Sequence, residues 1–113
     1  MLLKPCKMKQ QIIKYGEQYA AMFEVDRKKT NHAAKKLSGY MQIIKQHTNF
    51  YHAIIDELLK NENIGVLYWS CGIAWESGYR VDDVKIIMKS FINSSPFGVW
   101  RSIFSASYNV RNN

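Results

Sequence analysis

Apolar side chains recur at helical spacing along almost the whole chain, and the period divides it into six segments. Ile12, Gly16, Tyr19, Ala20 and Phe23 fall on one stripe and predict a first helix from about Met8 to Phe23. Asp26 follows as a break or a cap. Ala33, Ala34, Leu37, Tyr40, Met41 and Ile44 form the apolar face of a second, longer helix, about Arg27 to Gln46. Gly39 is its weak point: a glycine inside a helix costs about 1 kcal/mol relative to alanine, so it is a candidate for a close helix crossing, a kink, or a split of the segment in two. Thr48 and Asn49 can cap a third helix, about Phe50 to Lys60, with Tyr51, Ile54, Ile55, Leu58 and Leu59 on its apolar face. The fifth helix, about Val81 to Asn93, opens with Asp82 and Asp83, which suit the positive end of the helix dipole. Ser95 and Pro96 signal a restart, with Pro96 at the first turn of a sixth helix running to about Val110. Phe97, Trp100, Phe104 and Tyr108 form one row of that helix, and Val99, Ile103 and Ala106 the next. A strand pattern competes over residues 104–111, where apolar and polar side chains alternate, but a lone strand has no partner.

The fourth segment breaks the amphipathic rule. Residues 64–75 hold no charge, and Ser70 is the only strongly polar side chain among them. Asn63 can cap the run, and Gly78 can stop it. A helix that is apolar all round must be covered on most sides. At 1.5 Å per residue it spans only about 18 Å, too short to cross a bilayer. The chain is therefore predicted to be a single all-α domain over residues 1–113, built around a buried central helix, with residues 1–7 as a loose lead-in. Short turns between helices of similar length predict antiparallel neighbours. Three successive pairs fit either a compact bundle or a short solenoid, since the last two pairs are each about 30 residues, close to helical-repeat spacing.

Charge changes this picture. Residues 1–50 carry ten Lys/Arg against three Asp/Glu, and residues 51–113 carry six of each, so the whole excess of +7 lies in the first half. Much of it sits on the second helix, where Lys28, His32, Lys35 and Gly39 form a stripe with Lys29 and Lys36 beside it. Lys14 and Lys45 are candidates to join it. Such a face either solvates an outer helix or meets an anionic partner. Lysines at this spacing can contact phosphates, which makes nucleic acid one candidate, but no helix-turn-helix or RNA-recognition signature accompanies them. An acidic protein surface suits them equally well.

Catalytic signatures are missing. His32, His47 and His52 lack an acidic partner at ligand spacing, and no Cys-x-x-Cys or phosphate-cradling glycine run occurs. Ser70 and Cys71 lie in the helix expected to be buried. Asp56-Glu57 and Asp82-Asp83 fit a solvated face and a helix start. Neither Cys6 nor Cys71 belongs to a disulfide framework. These features predict a reduced, cytoplasmic, non-enzymatic protein with no metal or cofactor and no membrane segment.

The segment Leu58-Leu59-Lys60-Asn61-Glu62-Asn63-Ile64-Gly65-Val66-Leu67-Tyr68-Trp69-Ser70-Cys71 resembles the "leucines, short polar turn, Val-x-x-Trp-Ala-Ala" pattern of a bacterial family of small HEAT-like helical domains. Lys28-Lys29-Thr30-Asn31 leading to Leu37, Gly78-Tyr79-Arg80 before an acidic helix start, and Gly98 to Trp100 are similar too. Ser70-Cys71 departs from the alanine pair, and the first helix matches poorly. The resemblance implies about six antiparallel helices in a short HEAT-like α-α superhelix. Members of that family occur as immunity proteins of polymorphic and contact-dependent growth inhibition toxins. This implies a binding protein that neutralises a cognate toxin, foremost a nuclease domain with an acidic patch. It also implies a buried polar role for Asn31. The alternatives are a nucleic-acid-associated regulator and a helical-repeat adaptor. The candidate partner-binding residues are Lys28, Lys29, His32, Lys35 and Lys36.

Overall fold

In the computed structural model, which describes residues 2–94 and 98–112, each of the six periodic segments is a helix and no strand occurs among the described residues. The helices are α1 (Pro5–Met22), α2 (Arg27–Gln46), α3 (Thr48–Leu58), α4 (Ile64–Glu76), α5 (Val81–Ser94) and α6 (Gly98–Asn112). The expected restart at Ser95 and Pro96 lies outside the described residues.

Local chemistry explains most boundaries. Helix α1 starts earlier than its apolar stripe because Pro5 occupies the first turn, where a missing N–H costs nothing. The expected lead-in is thus helical from Pro5, and the Tyr51 hydroxyl donates to the Leu3 carbonyl at 2.6 Å. Asp26 caps α2 by accepting from the Lys29 N–H. The cap expected at Thr48 or Asn49 is not used. Helix α3 begins at Thr48 after a single-residue break at His47, and the Thr48 hydroxyl instead donates back to the Ile44 carbonyl of α2. Asn63 caps α4 by accepting from the Gly65 and Val66 N–H groups. That helix ends in a Schellman motif: Tyr79 N–H donates to Ala74 O and Gly78 N–H to Trp75 O, with Gly78 at φ +69°. Alternation at residues 104–111 loses to the helical row: Trp100, Phe104 and Ser107 are buried on one side of α6, while Val99 and Ala106 face outward.

Helix α4 is the axis. Eight of its thirteen residues are buried, and it contacts all five other helices. Ser70, fully covered, donates its hydroxyl to the Val66 carbonyl at 2.6 Å, so its burial leaves no orphaned donor. Helix α1 packs against both α2 and α4. The α1–α4 crossing is made by two glycines. A Cβ on Gly65 would overlap the Gly16 carbonyl and lie 2.8 Å from Ala20 Cβ; a Cβ on Gly16 would lie 2.8 Å from Val66 Cα. Gly39, which the sequence offers as a crossing or kink, is neither: it sits on the exposed side of an unbroken α2. Phe91 of α5 and Phe104 of α6 stack with ring centroids 4.7 Å apart, and Phe104 meets Tyr68 of α4 edge-on at 5.3 Å. The radius of gyration, 13.2 Å, matches the value of about 13 Å for a compact domain of this length. No helix among the described residues is long and apolar enough to cross a membrane.

Two acidic side chains tie helix ends together. Glu76 accepts from Lys45 of α2 at 3.1 Å and from Arg111 of α6 at 2.7 Å. Asp56 accepts from Arg80 at 2.9 Å and from the Tyr79 hydroxyl at 3.0 Å. Partial burial raises both carboxyls, but their cationic and hydroxyl donors outweigh it, and each lies below its usual value. A carboxylate depressed in the fold stabilises it above the unfolded value, about 4, and the contribution is lost as pH falls through the folded value. Glu76→Gln should therefore flatten the loss of stability between about pH 5 and pH 2. Urea midpoints measured across that range check this, and a parallel offset of the two curves would contradict it.

Candidate functional site

Lys28, Lys29, His32, Lys35 and Lys36 are all exposed on the outer side of α2. The buried stripe Ala33, Leu37, Met41 and Ile44 fixes which side that is. Asp26 anchors the first turn, and Gln18 of α1 donates to the Lys29 carbonyl at 3.1 Å, locking the two helices there.

The five residues divide into two groups. His32, Lys35 and Lys36 line an open groove of about 450 Å³ together with Gly39, Tyr40 and Ile43. Lys28 and Lys29 do not line it; they continue the positive surface toward the start of α2. Helix α1 adds two residues. Tyr15 packs edge-on to His32, with centroids 5.9 Å apart, and tilts against Tyr40 at 6.2 Å. Lys14 sits over the Tyr15 ring, 5.2 Å from its centroid, and so joins the basic face. Lys45 does not, because it is engaged by Glu76. Tyr40, expected in the core, is half-buried at the groove wall and donates its hydroxyl to Gln11 Oε1. Burial, and then the neighbouring Tyr15, raise its phenol above the usual value, so it stays a neutral donor at neutral pH.

This face carries cations with no carboxylate partner among the described residues, and Lys4, Lys7, Arg27 and Lys60 elsewhere have none either. The ion pairs among the described residues join Lys9 to Glu57, Lys45 and Arg111 to Glu76, and Arg80 to Asp56 and Asp83. Lys28, Lys29, Lys35 and Lys36 have no carboxylate within ion-pair distance among the described residues. Lys85 and Lys89, on α5, lie over the rings of Trp75 and Tyr108.

Other candidate chemistry is used up by the fold. Burial pushes the Cys71 thiol up to about 12, with the Arg111 charge opposing it, which leaves the thiol protonated and unreactive at neutral pH. Asp83 holds Arg80, whose backbone lies at φ +55°. His52 packs on Tyr79, and His47 sits at the α2–α3 break. No group of three or more His, Cys, Asp or Glu among the described residues could hold a metal ion. Asn31 is exposed rather than buried: it falls about 160° around α2 from Ala33, on the flank away from the core. There it borders a second open groove with Phe23, Glu24, Val25, Arg27 and Thr30.

Periodicity alone identifies the lysine stripe but not Tyr15, Gln11 or Ile43, whose role depends on how α1 lies on α2. Gly39 did leave a signal, since a mid-helix glycine is unfavourable unless something requires it. Comparison with known proteins adds no relative: no family model, curated protein or solved structure matches this chain.

Proposed function

We propose that this chain is a non-enzymatic binding protein whose basic α1–α2 face docks on an acidic protein surface, and that the partner is a cognate bacterial toxin, foremost a nuclease domain, which it neutralises as an immunity protein. One observation supports the docking face above the others: Lys28, Lys29, Lys35 and Lys36 cluster on one side of α2 with no carboxylate partner among the described residues, while four of the six acidic residues in the second half already hold cations. The toxin assignment rests on the family resemblance of residues 58–71. In the same proposal the six helices are antiparallel and form a short HEAT-like superhelix. The single-residue break between α2 and α3 and the four- to five-residue turns before α2, α4 and α5 support close neighbours; the packing of α1 on α4 is a departure from strict repeat stacking.

Such a protein needs no reaction chemistry. It needs a rigid surface burying about 1,200–2,000 Å² with its partner, and α2, capped and locked to α1, offers a rigid helix for that contact. Positive charge on the inhibitor means it meets an acidic patch and does not mimic nucleic acid.

Pull-down from the native host, with mass spectrometry, tests the assignment: a toxin domain encoded beside this chain is the expected catch. Reversing Lys28, Lys29, Lys35 and Lys36 to Glu should then slow association by tenfold or more, with the parent rate itself falling as salt rises. An unchanged rate would remove the lysine face from the interface. The second reading, a nucleic-acid-associated regulator, draws on Tyr15 and Tyr40 beside the lysines; tight binding of bulk RNA or DNA at physiological salt would favour it. A helical-repeat adaptor is distinguished by recovering a non-toxin helical partner.

A further inference from the structure

Apart from Gly98, which opens α6, the glycines in helices are Gly16, Gly39, Gly65 and Gly72. Three are explained by something that takes the space of a side chain. Gly16 and Gly65 face each other across the α1–α4 crossing, and a Cβ on Gly72 would lie 3.1 Å from the Arg111 guanidinium. Gly39 is different. Its φ is not in the left-handed region, and a Cβ built there meets nothing within 4 Å among the described residues. Neither backbone nor internal packing calls for glycine at this point, and helix propensity disfavours it.

Gly39 also has a particular position. It lines the α2 groove one turn after Lys35 and Lys36 and one turn before Ile43, with Tyr40 beside it. The apolar surfaces of Ile43 and Tyr40, flanked by Lys35 and Lys36, which have no carboxylate partner among the described residues, are complementary to an amphipathic helix whose apolar stripe is bordered by carboxylates. Removing a Cβ at the crossing point lets two helix backbones approach more closely than side chains otherwise allow, as Gly16 and Gly65 do inside this same chain.

We infer that Gly39 is the contact point for an acidic amphipathic helix of a protein partner, which crosses α2 there with its carboxylates on Lys35 and Lys36. This rests on the proposed docking role of the lysine face and adds the form of the docking element. The glycine is kept for the interface and at a cost to the fold, so stability and binding respond to its replacement in opposite directions.

The test is an NMR titration of the intact chain with a synthetic helical peptide of about 20 residues carrying an Ala/Leu stripe bordered by Glu. A twin bordered by Lys and a short RNA duplex serve as comparison probes. The Glu peptide should shift the amides of His32, Lys35, Lys36, Gly39, Tyr40 and Ile43, and the Lys twin should not. Gly39→Ala should raise Tm by about 4 °C and weaken the Glu peptide about tenfold; a Lys35→Glu, Lys36→Glu double variant should abolish its binding. Unchanged affinity in Gly39→Ala, with binding still lost on charge reversal, would overturn the close crossing and leave the lysine face standing. Absence of shifts with the Glu peptide would overturn both. Shifts at these amides with the RNA duplex alone would overturn the protein-helix assignment in favour of nucleic acid.

Discussion

Gly65→Ala is expected to destabilise the fold by about 3 kcal/mol, although alanine is the better helix former. The added methyl would overlap the Gly16 carbonyl and come within 2.8 Å of Ala20 Cβ. The first obstacle is backbone, so no rotamer change relieves it. Helix α4 would have to move away from α1 along the whole crossing, opening gaps around Ile12 and Val66, both fully buried. Gly16→Ala should act in the same direction, because its methyl meets Val66 Cα at 2.8 Å. Gly39→Ala is the internal control: the same substitution on an open helix face should stabilise by up to about 1 kcal/mol. Urea denaturation checks all three, with the midpoint moving and the slope unchanged. A Gly65→Ala variant as stable as the parent would mean that the two helices do not cross this closely.

Phe104→Ala should cost about 4 kcal/mol, within the range for deleting a buried aromatic side chain. Phe104 is fully buried; its ring stacks on Phe91 at 4.7 Å and meets Tyr68 edge-on at 5.3 Å. It joins α6 to both α5 and α4, beside the Trp100–Tyr68 and Tyr108–Trp75 ring contacts to α4. At roughly 0.05–0.15 kcal/mol per residue, a chain of this length has a total stability of about 6–17 kcal/mol, so the loss is a large fraction of the whole. Because the α5–α6 pair is attached mainly through α4, local opening should be confined there first. Hydrogen exchange should accelerate in α5 and α6 more than in α1 and α2. Equal acceleration throughout would show that the chain opens only as one unit.

Much of the helical pattern was legible before any coordinates. A stripe recurring every three to four residues has one stable solution in water, and the unbroken apolar run at residues 64–75 could only be an interior helix. Asn63 and Gly78 were readable as its limits because capping is local chemistry, decided within four residues. The errors fell where a second element intervened. Thr48 reads as a cap, but the adjacent end of α2 offers its hydroxyl the Ile44 carbonyl. Tyr40 reads as core, but α1 leaves it half-buried at a groove wall. Asn31 follows a resemblance into the interior, while the phase of α2 carries it outward.

The lysine face shows the same division. Its five residues, their exposure and the charge imbalance follow from the sequence, since spacing sets their angle around α2. That those lysines have no carboxylate partner among the described residues is a tertiary result, because the nearest carboxylates in space depend on which helix ends meet: Glu76 went to Lys45 and Arg111, and Asp56 to Arg80. The glycines separate the two levels most clearly. By sequence Gly16, Gly39 and Gly65 are alike, each a helix position with no side chain. Only the packing decides that two of them are filled by a neighbouring helix and one is left open, because a glycine specifies room for a close approach and never what approaches.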